Sequence, residues 1–336
     1  ARVVEDPLRL DHLMLLTYAD GRGVSGGAGW SDWKETLIWQ LFDETKLFLM
    51  GSPEFERKAA ERVGRLRGEV DSLVSRELSS EEIDVHFRLM SGRYLQIMDA
   101  RQIAHHLRAI RAFIASIETS GNPLEPVISW EHREDRGHSL MTLVTWNREH
   151  VFSRTAGAIS VGGLNILRAD VFTRADDIVV DTFWVCTERN EAATDPRDQK
   201  TVERILANAF AQTEYNFEPE LARIRSKMRF DKWSGEDFPT RLTIDNESLK
   251  DYTLVEIETP DRLALLHDVV LNLTAEGVQI MFARIETEKG AAIDTFYVVG
   301  PNGGKITDEA LLDRMKDRIL DATDGALVRL AGGEAA

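Results

Sequence analysis

Leu143–Val185 closes on Asp181-Thr182-Phe183-Trp184-Val185, and Leu254–Val298 closes on Asp294-Thr295-Phe296-Tyr297-Val298. Upstream of those ends, Arg148 matches Arg262, Gly163 matches Gly277, Ile166 matches Ile280, Ala169 matches Ala283 and Thr173 matches Thr287. Each of these pairs is 114 residues apart, and one residue drops out in the turn that follows. Matches held in register over such a length mark an internal duplication.

Each copy reads strand, loop, helix, Gly, strand, turn, strand, polar loop and helix. The later helices are predicted over Pro196–Phe210 and Ile306–Ala322. That order is βαββα, so the strand completing a βαββαβ unit must come from elsewhere. Thr240-Arg241-Leu242-Thr243-Ile244, between the copies, is a candidate. Leu167, Ala169 and Val171 alternate onto one face, as do Met281, Ala283 and Ile285. Two amphipathic helices per copy can cover that face, giving a two-layer α/β sandwich. Gly163 and Gly277 stand where a helix must stop in a left-handed residue, which glycine adopts without a Cβ clash.

Residues 1–117 read as helical. Leu10, Leu13, Met14, Leu16 and Thr17 keep helix spacing up to Asp20, ahead of a Gly/Ser loop from Gly21 to Gly29. Trp33, Leu37, Leu41, Thr45 and Phe48 mark a second helix. Ser52-Pro53-Glu54 is a helix start, and Ser79 with Glu82 has capping-box spacing. Arg101–Ile117 turns Ile103, Leu107, Ile110, Phe113 and Ile117 inward, with Arg and His on its charged side. The segment 118–137, with Ser120-Gly121-Asn122-Pro123, reads as a linker. The expected domains are therefore 1–117, 138–230 and 240–330.

The chain has 336 residues, with 57 acidic against 41 basic side chains. A net charge of −16 with no basic cluster argues against nucleic-acid binding. A single cysteine, Cys186, excludes an internal disulfide framework and fits a reducing, cytoplasmic setting. No apolar run approaches a membrane span. The chain opens Ala-Arg-Val-Val and reads as the tail of a longer protein.

Two modules of this order, each with an Arg in the first loop and a turn of the Gly-Leu-Asn-Ile type, resemble ACT domains, ferredoxin-like units that often bind amino acids. Leu10-Asp11-His12-Leu13-Met14-Leu15-Leu16-Thr17-Tyr18-Ala19-Asp20, followed by Trp30-Ser31-Asp32-Trp33-Lys34, resembles the end of the HD domain of bifunctional protein-PII uridylyltransferase/uridylyl-removing enzymes. So do His86-Phe87, Arg93-Tyr94 and Ile103-Ala104-His105-His106-Leu107, and Asp245-Asn246 ahead of the second copy. The resemblance covers nearly the whole chain. It implies an α+β protein: an all-α HD remnant and connector, then two ferredoxin-like βαββαβ ACT domains. It also implies the regulatory, glutamine-sensing part of a nitrogen-control enzyme that acts on the PII protein, with ACT–ACT pairing within or between chains. The nucleotidyltransferase and His…His-Asp motifs would lie upstream of Ala1.

Further roles follow from that resemblance. Asp20 would complete an HD metal set, with Mg²⁺ or another divalent ion expected for the complete parent enzyme. No metal and no hydrolytic activity are expected of this chain alone. The effector residues would be Asn147, Arg148, His150, Val151 and Asn165 in the first copy. In the second they would be Asp261, Arg262, Ala264, Leu265 and Gln279. Asn147 is placed to cap the following helix, whose N–H groups suit a carboxylate. The family's loop is Asp-Arg-Pro-Gly-Leu; here Glu149-His150 and Leu263-Ala264 replace Pro-Gly. The loss of that glycine supports a second reading, an ACT-pair scaffold without a ligand; a third reading is the tail of another HD-type metal phosphohydrolase whose ACT domains sense something else. Asp181 and Asp294 read as surface residues or as partners of Arg168 and Arg284. The histidines, His105-His106 included, and Trp30, Trp33 and Trp39 read as ordinary structural residues.

Overall fold

The computed structural model describes residues 6–23, 38–39, 41–42, 45–46, 49, 53–120, 124–212, 215–227, 239–247, 249–288 and 291–331. The expected loop beyond Gly23, Trp30, Trp33, Leu37, Phe48 and the turn residues 121–123 lie outside them. The chain divides into two compact units, Ala1–Ser80 and Glu81–Ala336.

In the first unit, α1 spans Pro7–Gly23 and α2 spans Pro53–Val74. Pro53 opens α2 as its sequence signal requires, whereas α1 continues three residues past Asp20. Trp39 makes ring contacts with Tyr18 and Phe42, and Lys46 bonds Asp11 at 2.6 Å.

From the boundary onward come the helices α3 (Ser80–Leu89), which begins at the last residue of the first unit, α4 (Gly92–Ile97) and α5 (Ala100–Ser120). The first repeat follows as β1 (Val127–Arg133), β2 (His138–Trp146), α6 (Val151–Val161), β3 (Leu164–Thr173), β4 (Ile178–Thr187), α7 (Pro196–Phe210) and α8 (Glu218–Lys227). The second contains β5 (Arg241–Asp245), β6 (Thr253–Pro260), α9 (Leu265–Leu273), β7 (Gln279–Glu288), β8 (Ala291–Val299) and α10 (Glu309–Ala331). One antiparallel sheet takes the order β1-β2-β4-β3-β7-β8-β6-β5. The repeats join within the chain through β3 and β7.

The additional strand of the second repeat is β5, the segment chosen from sequence. That of the first is β1, which lies in the stretch read as linker. Each additional strand therefore precedes its repeat, at the outer edge beside β2 or β6. Val127–Arg133 is polar on much of its length (Ser129, Glu131, His132, Arg133), which hides its strand character.

The expected two-layer sandwich is also corrected. On one face, Phe152, Ile159, Leu265 and Val269 of the helices pack on Met141, Val171, Phe183, Ala283 and Phe296. On the other face of the first repeat lie α4 and α5. Phe113 meets Trp146 at 5.7 Å and Tyr94 meets Phe172 at 5.0 Å between ring centroids. The strands show the difference. Every residue of β2 from Ser139 to Thr145 is buried, while β6 alternates buried and more exposed positions. A strand covered on both faces needs a continuous apolar or small run.

Both inner strands carry a bulge at the same place, between Ile166 and Arg168 and between Ile280 and Phe282. The extra residue changes the phase of the strand. Ile166 and Ile280, rather than Leu167 and Met281, thus join Ala169 and Ala283 against the core. Gly163 and Gly277 take the left-handed conformation expected of them, with φ of 83° and 77°.

Candidate functional site

Strand β2 delivers the chain to a four-residue loop, Asn147–His150, from which α6 departs. His150 is the N-cap residue, in the left-handed conformation (φ 65°, ψ 14°), and no side chain caps the helix. The expected cap by Asn147 is therefore absent; its N–H instead bonds the Asp177 carbonyl oxygen at 2.7 Å. The second repeat has the same geometry. Ala264 is the left-handed N-cap of α9 (φ 60°, ψ 17°), again without a side-chain cap. Both loops thus hold a left-handed N-cap residue without using glycine. Such a residue costs about 1–2 kcal/mol, and the packed repeats sustain it twice.

A cavity of about 530 Å³ opens at the start of α6. Its first wall is the loop from Asn147 to Ser153, with Val171, Val179 and Asp181 from the strands behind it. Its second wall belongs to the other repeat, with Thr274, Gly277, Gln279 and Met281 at the end of α9 and the start of β7. The structure therefore brings Asn147, Arg148, His150 and Val151 together with Gln279. Asn165, predicted to serve the first loop, does not line this cavity and is exposed on β3. Asp261, Arg262, Ala264 and Leu265 stand at the equivalent loop of the second repeat. A single-repeat reading paired each loop with its own strand, but joining β3 to β7 exchanges the partners.

The two loop arginines hold the loops down. Arg148 donates from Nη2 to the Leu124 carbonyl oxygen at 2.9 Å and lays its guanidinium 4.3 Å from the Phe210 ring centroid. Arg262 donates from Nη2 to the Ala322 carbonyl oxygen at 2.7 Å and pairs with Asp268 at 2.7 Å. Within the buried part of the first loop, Nε of Arg148 and Nδ1 of His150 have no hydrogen-bond partner.

Asp181 and Asp294 are buried, not surface residues, and neither has an Arg partner. Arg168 instead bonds Asp170 at 2.8 Å, and Arg284 bonds Glu286 at 2.7 Å. Asp181 is fully buried; its Oδ1 accepts the Phe172 N–H at 3.3 Å and its Oδ2 has no partner. Loss of hydration holds its carboxyl well above the ordinary carboxylate range, against the pull of that N–H. Asp294, with Oδ1 unpartnered, is raised by burial and then by the neighbouring charge of Asp261. Asp261 is itself pushed up to about 6 by burial, against opposing interactions with Arg262.

A second polar feature lies on the opposite face of the first repeat. Nε2 of His86 meets the Tyr94 hydroxyl at 3.1 Å, and that hydroxyl meets Nδ1 of His106 at 2.8 Å. Nε2 of His106 then meets Thr182 Oγ1 at 3.0 Å. All four residues are buried. Burial holds both imidazoles toward the neutral form, with His106 lowered to about 3. His106, assigned to a charged helix side from sequence, therefore faces inward. His105 bonds Ser129 at 3.0 Å.

Asp20 is exposed in the last turn of α1. Among the described residues no three His, Cys, Asp or Glu side chains gather to hold a metal ion. One exposed carboxylate does not by itself fit a divalent metal, which needs several donors together. Among the described residues, no helix is long and apolar enough to cross a membrane.

No protein-family model matches the chain. Among curated proteins, it is 28% identical over 330 residues to a bifunctional uridylyltransferase/uridylyl-removing enzyme of Azospirillum brasilense, covering 95% of this chain and 33% of that protein. It is 29% identical over 337 residues to the enzyme of that name from Ruegeria pomeroyi, covering 97% and 35% of the two chains. For the Gluconobacter oxydans enzyme the figures are 28% over 332 residues, 98% and 34%. The chain thus spans about a third of the length of these relatives.

Proposed function

We propose that this chain, related over nearly its whole length to bifunctional uridylyltransferase/uridylyl-removing enzymes, is the amino-acid-sensing regulatory region of such an enzyme. In this reading the two repeats are ferredoxin-like ACT domains and glutamine is the effector. The helices of residues 1–117 are the end of an HD domain and its connector, and the PII protein is the partner of the complete enzyme. Asp20 would then belong to a divalent-metal set supplied mainly by residues outside this chain. The exposed Leu8, Leu13, Leu15 and Leu16 of α1 support its reading as a helix of a larger helical unit.

The observation that carries the sensing role is the cavity at the uncapped start of α6, built from both repeats. The first N–H groups of a helix lack intrahelical acceptors and favour an anion, such as an amino acid's carboxylate. Gln279 and Asn147 add amide groups at the same cavity that can both donate and accept. A ligand held there touches both repeats at once, so its binding bears on their relative arrangement.

The competing reading is a scaffold that pairs its repeats without a ligand. It is favoured by the second loop, where Arg262 is tied to Ala322 and Asp268 and Ala264 is buried. Isothermal titration of the chain with L-glutamine separates the two. Saturable heat is expected for a sensor; no heat with glutamine or any other protein amino acid leaves the scaffold.

A further inference from the structure

We propose that Asp181 determines the specificity of the cavity, accepting the ammonium group of a bound α-amino acid and so excluding carboxylates that lack the amine. This inference rests on the reading of the cavity as an amino-acid site, and it assigns a residue that the loop alone does not suggest.

Asp181 lines the cavity, yet its side chain has no exposed surface. Its surroundings on that face are apolar. Val171 is its partner across the β3–β4 ladder, and Val179 stands two residues earlier on the same strand. One carboxyl oxygen takes a single long bond from the Phe172 N–H, and the other takes none. A buried polar atom left in that state is costly unless something else satisfies it.

Among the described residues no cation reaches the open Asp181 oxygen, although Nε of Arg148 is itself unpartnered. The Arg148 guanidinium lies against Phe210 and the Leu124 carbonyl, and Arg168 is paired with Asp170. That oxygen is left for a donor from a ligand, and an ammonium group has the charge and the N–H groups to fill the role. The rest of the cavity suits the other end of a zwitterion. The uncapped N–H groups at the start of α6 and the unpartnered Nδ1 of His150 face an anion's needs. A carboxyl from the strands and a helix start from the loop, both on the first wall, give the polarity of an α-amino acid. Asp294 repeats the orphaned carboxyl at the equivalent strand position of the second repeat, so the feature belongs to the duplicated unit. Glu149, also at the cavity, is exposed, and its charge is screened by water.

The test is calorimetry on the whole chain with L-glutamine and with 4-carbamoylbutanoate, which is glutamine without its amine. The wild-type chain is expected to bind the analogue at least about tenfold more weakly, the scale of a charge-assisted hydrogen bond. Asp181→Asn is expected to lose at least about tenfold in glutamine affinity and to stop distinguishing the two compounds. Glu149→Gln is expected to keep the distinction. If Asp181→Asn binds glutamine within twofold of wild type and still prefers it, the assignment of Asp181 is wrong while the amino-acid site stands. If wild type binds neither glutamine nor any other protein amino acid, the site and the assignment fall together. Should Asp181→Asn not fold, the ¹³C carboxyl resonance of Asp181 in the wild-type chain decides. Glutamine must shift it and the analogue must not; equal shifts, or none, overturn the assignment.

Discussion

Nδ1 of His267 stands 2.7 Å from the backbone carbonyl oxygen of Ser153, and the two residues, 114 apart, hold the same position in the two repeats. The sheet contains a second such pair, since Asp170 lies opposite Arg284 in the β3–β7 ladder. Around it the pairing exchanges equivalent positions: Ala169 faces Ile285, and Val171 faces Ala283. A pseudo-two-fold axis therefore passes between β3 and β7 and between α6 and α9. It relates the repeats as a closed, isologous dimer interface relates subunits. This is why the cavity beside the first loop takes its second wall from the other repeat.

Close approach at that axis depends on Gly157. A Cβ there would lie 2.6 Å from Cδ2 of the buried Phe217 and 3.0 Å from Nδ1 of His267. Gly157→Ala is expected to destabilise the chain by about 1–3 kcal/mol through overpacking, despite alanine's better helix propensity. Urea unfolding measures it; a variant as stable as wild type would show that the α6–α9 contact has slack.

The His86–Tyr94–His106–Thr182 chain gives a different expectation. Tyr94→Phe keeps the ring but removes the hydroxyl that both imidazoles meet. The cost expected is about 1–3 kcal/mol for buried groups left unsatisfied. The same chain sets an acid limit. His106 stays neutral when folded down to about pH 3, whereas the unfolded imidazole takes a proton near 6.5. Its contribution is thus fully present above about 6.5 and is lost as pH falls from there toward 3. Replacing His106 by Gln should flatten the melting temperature over that window; an unchanged slope would put the acid sensitivity elsewhere.

Much of the sheet was legible because the duplication repeats its chemistry. The common Arg, Gly and Asp-Thr-Phe positions locate the loops and three strands of each repeat. Strand β6, with Val255, Ile257 and Thr259 buried between less buried neighbours, alternates as a one-face strand should. Strand β1 was not legible, because polar side chains at Ser129, Glu131 and His132 mask an edge strand. Alternation alone puts Leu167 on the core face, because it does not reveal a bulge. Sequence alone singles out Asn147, Arg148, His150 and Val151 but pairs Gln279 with the second loop; that Gln279 shares their cavity depends on pairing between repeats, which is a long-range event. Local sequence reads Asp181 as a surface residue because its burial comes from the strands and helix packed around it.

The buried carboxyls set the opposite limit. Asp294 is held above its ordinary value of 3.8 by burial and by Asp261, which is itself raised to about 6. Raised values in the folded state mean that full stability is present below about pH 4 and is lost as the pH climbs through the folded values. Asp294→Asn imitates the protonated carboxyl. It is expected to gain stability relative to wild type progressively as the pH rises above about 4. Thermal melts at several pH values test this; a constant difference across the range would mean that Asp294 does not titrate in the folded chain.

Ala264 is buried at φ 60°, a conformation in which its Cβ crowds the following carbonyl. Ala264→Gly removes that strain, worth about 1–2 kcal/mol, and gives back part of it as entropy of the unfolded chain and as a lost buried methyl. The net expectation is a gain of up to about 1 kcal/mol in denaturant unfolding. Ala264→Val, with a β-branched side chain that tolerates φ > 0 poorly, is expected to lose more than that. The two variants together fix the sign. If glycine destabilised the chain and valine did not, the loop would not hold the left-handed turn. The geometry shared by His150 and Ala264 would then be lost.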